Sequence, residues 1–369
     1  MNDPRRILIV NPFGIGDVLF STPLIRAVRR AFPEAYLAYL CNRRTEEILR
    51  RNPHLNELFI YEKDELVALW KWSKRSALAA VVSLLRGIRR KRFEVAIDLS
   101  LGERYSWFLF LLGVPRRIGF EFRRRGRFLT HRSVIEGYFG QHVVEYYAQF
   151  LRQVGVIMLE REMELPTSER DRDVAERELA QYGVQRGQRV VGLIPAGGIS
   201  WGGHAHFRRW PKEGYVRVGT TLRDRYGATI LIFGEPADRD ICTEIAGAIG
   251  ASAVNLVGQT TLGQFVNLVG RCDLVVSSDG GPVHIAASQG VRTVSIFGPV
   301  DPDVYGPYPR SAQHQVVHRD DLPCRPCYHR FRLPPCPYER ACLRELDPDL
   351  VLSACEASLE AACATPSLR

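Results

Sequence analysis

Hydrophobic positions in this chain gather in short dense runs, and between the runs they recur at helical spacing. Residues 7–10 read Ile-Leu-Ile-Val, 36–40 Tyr-Leu-Ala-Tyr-Leu, 58–61 Leu-Phe-Ile-Tyr and 95–99 Val-Ala-Ile-Asp-Leu. Each has strand length, and the stretches between them predict helices over about 18–32, 45–51 and 65–90, the last long and amphipathic. The same pattern restarts at 189–194 with Arg-Val-Val-Gly-Leu-Ile. A helix over 212–226, a strand at 229–233, a helix over 238–249 and strands at 274–276 and 293–297 then follow. Strands alternating with helices imply a parallel sheet wrapped by helices. The expected fold class is therefore α/β, as two Rossmann-like domains with an interdomain cleft. With 369 residues the chain exceeds one ordinary core. The polar stretch 167–173 is the expected linker, which divides the chain into domains over 1–168 and 169–345. A last helical segment lies within 346–369.

Composition narrows the class without changing the architecture. A hydrophobic content of 46% with 25% charged residues is that of a soluble globular protein. The first residues lead straight into a strand with no signal-peptide pattern, and apolar runs such as 76–85 and 105–115 are about half of what a spanning helix needs. A cytoplasmic chain is expected. Charge is unevenly placed: Lys71 to Arg132 holds 16 Lys or Arg against 4 acids, a net of +12, while the whole chain carries +9. The clusters Arg89-Arg90-Lys91-Arg92 and Arg123-Arg124-Arg125 stand beside Trp70, Trp72, Phe108 and Phe110. Anionic lipid headgroups or an acidic glycolipid fit such a surface; a solvated Arg-rich surface is the plainer reading, and nucleic acid is not the expected partner.

Ligands of such sheets bind at the carboxyl ends of strands, so the turns there carry the functional argument. The most telling is Ser277-Ser278-Asp279-Gly280-Gly281-Pro282, between a strand and a helical run. Its glycines let backbone N–H groups approach a ligand, and the helix start favours negative charge, so a nucleotide or nucleotide-sugar phosphate fits. The turn Asn11-Pro12-Phe13-Gly14-Ile15-Gly16-Asp17-Val18 lacks the third glycine of a dinucleotide fingerprint, because Leu19 takes its place, and it is no P-loop. It offers a carboxylate, Asp17, which is either a helix-start residue or a functional group. After Ile194 comes a Gly-rich turn followed by His204, His206, Arg208 and Arg209. Arg208 and Arg209 can neutralise a diphosphate, whereas the two histidines have no cysteine near them and read as loop residues. In the turn after Phe233, Glu235 and Asp238 can each bind ribose hydroxyls or cap the next helix.

Taken in order, Gly14-Ile15-Gly16-Asp17-Val18, Trp201-Gly202-Gly203, Arg209-Trp210-Pro211, Ser278-Asp279-Gly280-Gly281-Pro282-Val283-His284 and Phe297-Gly298-Pro299 form a series. That series resembles glycosyltransferase family 9, the ADP-heptose:lipopolysaccharide heptosyltransferases, and the similarity includes 95–99 and Arg117-Ile118-Gly119-Phe120. The resemblance implies a GT-B fold and inverting, metal-independent transfer from a nucleotide sugar to a glycolipid acceptor. ADP-heptose and a lipopolysaccharide core are the implied pair; another nucleotide sugar and another cell-surface glycan form the alternative. Asp17 matches the family's general base, and Arg208 stands where the family has a Lys that neutralises the donor diphosphate. Arg209 is a second candidate for that charge. Asp238 falls near the family's ribose-binding Glu. Asp279, Gly280, Gly281 and His284 match the segment around the donor's phosphates and sugar, with Asp279 orienting or holding sugar hydroxyls because two anions repel. By the same analogy the helix over 347–362 crosses back to the first domain, and the enzyme works at the inner face of the cytoplasmic membrane. A dinucleotide-dependent oxidoreductase is disfavoured by the missing glycine.

Transfer of this kind needs no cofactor, yet four of the nine cysteines are grouped as Cys324-x2-Cys327-x8-Cys336-x5-Cys342. Such spacing can hold a structural zinc, but a set of packed free thiols is the plainer reading.

Overall fold

The computed structural model describes residues 3–185, 187–197 and 202–364, and among them two six-stranded parallel sheets. The first holds β1 (Arg6–Val10), β2 (Tyr36–Cys41), β3 (Glu57–Ile60), β4 (Val95–Asp98), β5 (Arg116–Phe122) and β6 (His131–Ile135), in the order β3-β2-β1-β4-β5-β6. The second holds β7 (Val190–Ile194), β8 (Thr229–Ile232), β9 (Ala253–Asn255), β10 (Leu274–Ser278), β11 (Arg292–Ile296) and β12 (His314–Val317), in the order β12-β11-β10-β7-β8-β9. Counted from its own first strand, each sheet reads 3-2-1-4-5-6. The order reverses between β1 and β4 in one and between β7 and β10 in the other, which is where a doubly wound sheet opens a crevice. Leu8 and Val10 of β1, Ala38 and Leu40 of β2, and the helix residues Ile88 and Leu109 form one core cluster. Helices cover these strands, which is why they read as unbroken apolar runs.

The chain separates into two compact units. One runs to Tyr138 and resumes over Val143–Glu164; the other takes Phe139–His142 and the chain from Leu165. The stretch expected as a linker is largely the start of a helix, Glu169–Gln181. Ser168 caps it: the Ser168 hydroxyl accepts the Asp171 N–H at 3.2 Å, and the Asp171 carboxylate accepts the Ser168 N–H at 3.1 Å. The segment is polar because a first helical turn is solvated, and Ser-x-x-Asp was its signature.

Two expected helices are each divided by a serine. Ser21 separates Ile15–Phe20 from Thr22–Ala31. Ser73, with φ −154° and ψ 106°, separates Lys63–Trp72 from Lys74–Arg90 and accepts the Ser76 N–H. The C-terminal helix, Pro348–Ala364, corrects a further expectation. It was expected to return to the first domain. Instead Val351, Leu352, Cys355 and Leu359 are buried in one cluster with Val191, Leu193, Val276 and Val294 of the second sheet. The spacing of 351, 355 and 359 puts one apolar stripe on that sheet. Arg217–Asp349 and Arg225–Glu356 ion pairs tie the same helix to Lys212–Tyr226.

Candidate functional site

At the reversal in the first sheet, Asn11 leaves β1 and folds the turn. Its amide donates to the Asp17 carbonyl at 3.1 Å, and its side-chain oxygen accepts the Phe13 N–H at 3.3 Å. Asp17 is half-buried in the first turn of Ile15–Phe20, where one carboxylate oxygen accepts the Gly14 N–H at 3.3 Å. The helix-start reading of Asp17 is therefore correct as far as it goes. Three buried phenols share its surroundings: Tyr39 from β2, Tyr138 after β6, and Tyr147 from the helix Val143–Gln153. Burial raises all three phenol pKa values, and Asp17's negative charge adds to the rise. Next to β1, the last residue of β4 is Asp98, in register with Val10. Burial pushes its carboxyl up to about 6, against hydrogen bonding by Ser100, whose N–H it accepts at 2.9 Å.

The reversal in the second sheet is built differently. The Ser278 hydroxyl at the end of β10 donates to the Pro195 carbonyl at 3.2 Å and lies 2.9 Å from the Tyr215 hydroxyl. The Trp210 N–H donates to the same serine at 3.3 Å. Gly197, at φ +64°, and Gly280 pack backbone to backbone: a Cβ on Gly280 would lie 1.7 Å from the Gly197 carbonyl oxygen. These glycines first let two loops touch. Behind them Arg208 and Asp279, 5% and 3% exposed, form an ion pair at 3.5 Å. Burial raises the Asp279 carboxyl while the Arg208 charge pulls it down. His284, buried in the helix Gly281–Ser288, is pushed down to about 3 by burial and by the positive charges of His142 and Arg208. Its imidazole is neutral at physiological pH.

Residues 81–333 match glycosyltransferase family 9 (heptosyltransferase). The chain belongs to that family. It is 26% identical over 316 residues to lipopolysaccharide heptosyltransferase 2 of Escherichia coli K12, which spans 84% of this chain and 87% of the relative. It is 22% identical to the lipopolysaccharide core heptosyltransferase OpsX of Haemophilus influenzae, over 83% of this chain and 82% of that one. Among solved structures, the family 9 glycosyl transferase of Veillonella parvula superposes with a TM-score of 0.80 at 22% identity, covering 97% of each chain. The E. coli ADP-heptose heptosyltransferase II superposes with a TM-score of 0.74 at 24% identity, over 96% of this chain and 99% of that one. The fold is GT-B and the protein is a glycosyltransferase. The family match begins beyond Asp17 and takes in Arg208, Asp279 and His284.

Of the residues singled out from the sequence of this glycosyltransferase, the second unit brings Arg208, Asp279, Gly280, Gly281 and His284 to one reversal. Arg209 and Asp238 form a separate pair at 2.7 Å. Asp238 is 1% exposed, and its other oxygen accepts the Glu235 N–H at 3.0 Å. Both oxygens have protein partners, so the expected ribose contact is a turn cap and an ion-pair partner; Glu235 is the exposed carboxylate of that turn. Gly198 to Trp201 lie outside the described residues. Trp210 of the same motif is buried against Gly214, where a Cβ would meet its ring at 2.3 Å.

His142 gave no sequence signal. It belongs to the second unit, donates to the Gly306 carbonyl at 3.1 Å and stacks on Tyr308 at 4.3 Å. Burial pushes it down to about 4. Cys324, Cys327, Cys336 and Cys342 are free thiols that line one cavity, and Cys336 Sγ accepts the Arg340 N–H at 3.2 Å. Burial pushes the Cys342 thiol up to about 11. Among the described residues no group of three or more His, Cys, Asp or Glu is placed to hold a metal ion.

Proposed function

We propose that this glycosyltransferase moves a heptosyl group from a nucleotide sugar, ADP-heptose in the first instance, to a hydroxyl of a lipopolysaccharide-core glycolipid, with inversion and without a metal. The acceptor oxygen attacks the anomeric carbon as its bond to the diphosphate breaks, and the nucleoside diphosphate leaves. Asp17 takes the acceptor proton, a role for which a half-buried carboxylate at a strand end is suited. Arg208 and the start of the helix Gly281–Ser288 stabilise the growing charge on the diphosphate. Asp279 acts through Arg208, holding the guanidinium in place, since a carboxylate facing phosphate would repel it. Glu235 takes the ribose contact in place of Asp238.

The observation that carries this reading is the buried Arg208–Asp279 pair at a strand-order reversal, beside a helix start. Family membership and the names of the relatives support the choice of sugar and acceptor. An acceptor anchored in lipid puts the reaction at the inner face of the cytoplasmic membrane. Among the described residues no helix is long and apolar enough to cross a membrane, so the proposed attachment is peripheral. The test is mass spectrometry of truncated lipopolysaccharide incubated with the purified enzyme and ADP-heptose in the presence of a chelator. Gain of one heptose is expected. Gain of a different sugar from another donor, with none from ADP-heptose, would reassign the substrate.

A further inference from the structure

The crossover between β3 and β4 leaves apolar surface in solvent. Its first helix, Lys63–Trp72, contains no buried residue although Leu66, Val67, Leu69, Trp70 and Trp72 lie on it. Its second, Lys74–Arg90, has 17 residues and buries Ala77 and Ile88 alone. Trp72 is 81% exposed and Trp70 52%, and Val67 and Leu78 are exposed with them. The equivalent crossover in the other sheet, between β9 and β10, is the helix Leu262–Val269, which buries four of its eight residues. Exposure on this scale is thus not a property of the fold.

Neighbouring structure extends the surface. Leu84 and Ile88 of the second helix, and Tyr105 and Leu109 of the helix Glu103–Leu111, pack into one cluster on the same face of the first sheet. That third helix exposes Trp107, Phe110 and Leu111. Lys71, Lys74, Arg75, Arg89 and Arg90 are exposed among these side chains. The acids at the start of the crossover are already paired, Asp64 with Arg44 and Glu65 with Arg43, each at 3.3 Å. What remains is a tryptophan-bearing surface within residues 63–132, which hold 17 Lys or Arg against 6 acids, a net of +11.

We propose that the helices Lys63–Trp72 and Lys74–Arg90, with Glu103–Leu111 beside them, seat the enzyme on an anionic lipid bilayer. Trp70 and Trp72 enter the headgroup region, where an indole keeps its N–H wet and its ring dry. The Lys and Arg side chains bind lipid phosphate, and net positive charge selects acidic lipid. A solvated Arg-rich face accounts for the charge but not for tryptophans held out in water. This inference rests on the reading that the acceptor is carried in a membrane, although the binding it describes needs neither donor nor acceptor.

The test uses the full chain and vesicles of phosphatidylcholine, alone or mixed with phosphatidylglycerol. Co-sedimentation with the anionic vesicles is expected, with a blue shift of tryptophan emission and release as salt rises. The Trp70→Ser/Trp72→Ser variant should bind these vesicles at least about tenfold more weakly while keeping its melting temperature and its turnover on a short, water-soluble acceptor. Undiminished vesicle binding by that variant, or equal binding to neutral vesicles, overturns the proposal. So does a native dimer that the two substitutions make monomeric without any lipid binding. Loss of transfer to every acceptor with vesicle binding retained would count against the catalytic reading and leave this one standing.

Discussion

The two sheets share a strand order and a point of reversal, yet their reversals carry almost opposite chemistry. In the first unit the turn after β1 presents a half-buried carboxylate, Asp17, held by a backbone N–H and set among protonated phenols. In the second the turn after β10 presents no accessible acid: Asp279 is buried against Arg208, and His284 is neutral. Topology therefore decides where a site opens, and the side chains at the turn decide what it does. On the proposed reading, one reversal accepts a proton and the other holds negative charge.

The strongest way to break that division is at Asp17. Asp17→Asn keeps the size of the side chain and an oxygen to accept the Gly14 N–H, but it removes the basic site. Turnover is expected to fall about 10²- to 10⁴-fold, with protection of the protein by ADP against heat unchanged. Steady-state kinetics and thermal shift on the same preparation measure both. If turnover stays near native, the first reversal is not where the acceptor proton goes, and the assignment of base to Asp17 fails.

The second unit should answer in the other currency. Arg208→Ala leaves the Asp279 carboxylate buried without its cation, and breaking a buried pair in this way costs about 3–5 kcal/mol. Arg208→Ala/Asp279→Ala should recover much of that stability and none of the ADP protection. Urea unfolding of the two variants, with and without ADP, separates the structural part of the pair from its ligand part. Recovery of ADP protection in the double variant would show that Arg208 does not touch the donor.

Much of this arrangement was legible in the sequence, for identifiable reasons. Strands such as β1, β2, β7 and β10 are covered by helices, so they appear as dense apolar runs. By contrast β6 and β12 are edge strands: β6 reads His-Arg-Ser-Val-Ile, and nothing in that composition separates it from a loop. Asp17, Arg208 and Asp279 were readable because they stand in turns rich in small residues at strand ends. Asp238 was readable only as far as its turn, because a ligand-binding carboxylate and a capping one look alike there. Tyr39, Tyr138 and Tyr147 come from separate elements and meet through tertiary packing alone, and His142 likewise reaches Gly306 and Tyr308 from far away in the chain. Nor does an amphipathic stretch such as 63–90 reveal that its apolar side faces solvent; that needed the burial of its counterpart in the second unit for comparison.

Acid sharpens the comparison by acting on the two units with opposite sign. His142 and His284 have native values of about 4 and about 3, below the ordinary 6.5. The unfolded chain therefore takes up their protons first, so the stability they contribute is complete above 6.5 and is lost as pH falls toward the native values. Asp98 runs the other way: its native value of about 6 lies above 3.8, so its contribution is complete below 3.8 and is lost as pH rises through 6. Between pH 6.5 and 4, acidification should loosen the second unit through its two histidines, an effect that the raised Asp279 carboxyl partly offsets, and tighten the first through Asp98, by at most about 1.4 kcal/mol per pH unit for each group. Native-state amide exchange measures this, comparing protection of β10 and β11 with protection of β1 and β4 at each pH. His142→Gln should lessen the acid loss in the second sheet only, and Asp98→Asn should remove the gain in the first only. If both sheets weaken in parallel, the pH response belongs to global unfolding and not to the groups at the two reversals.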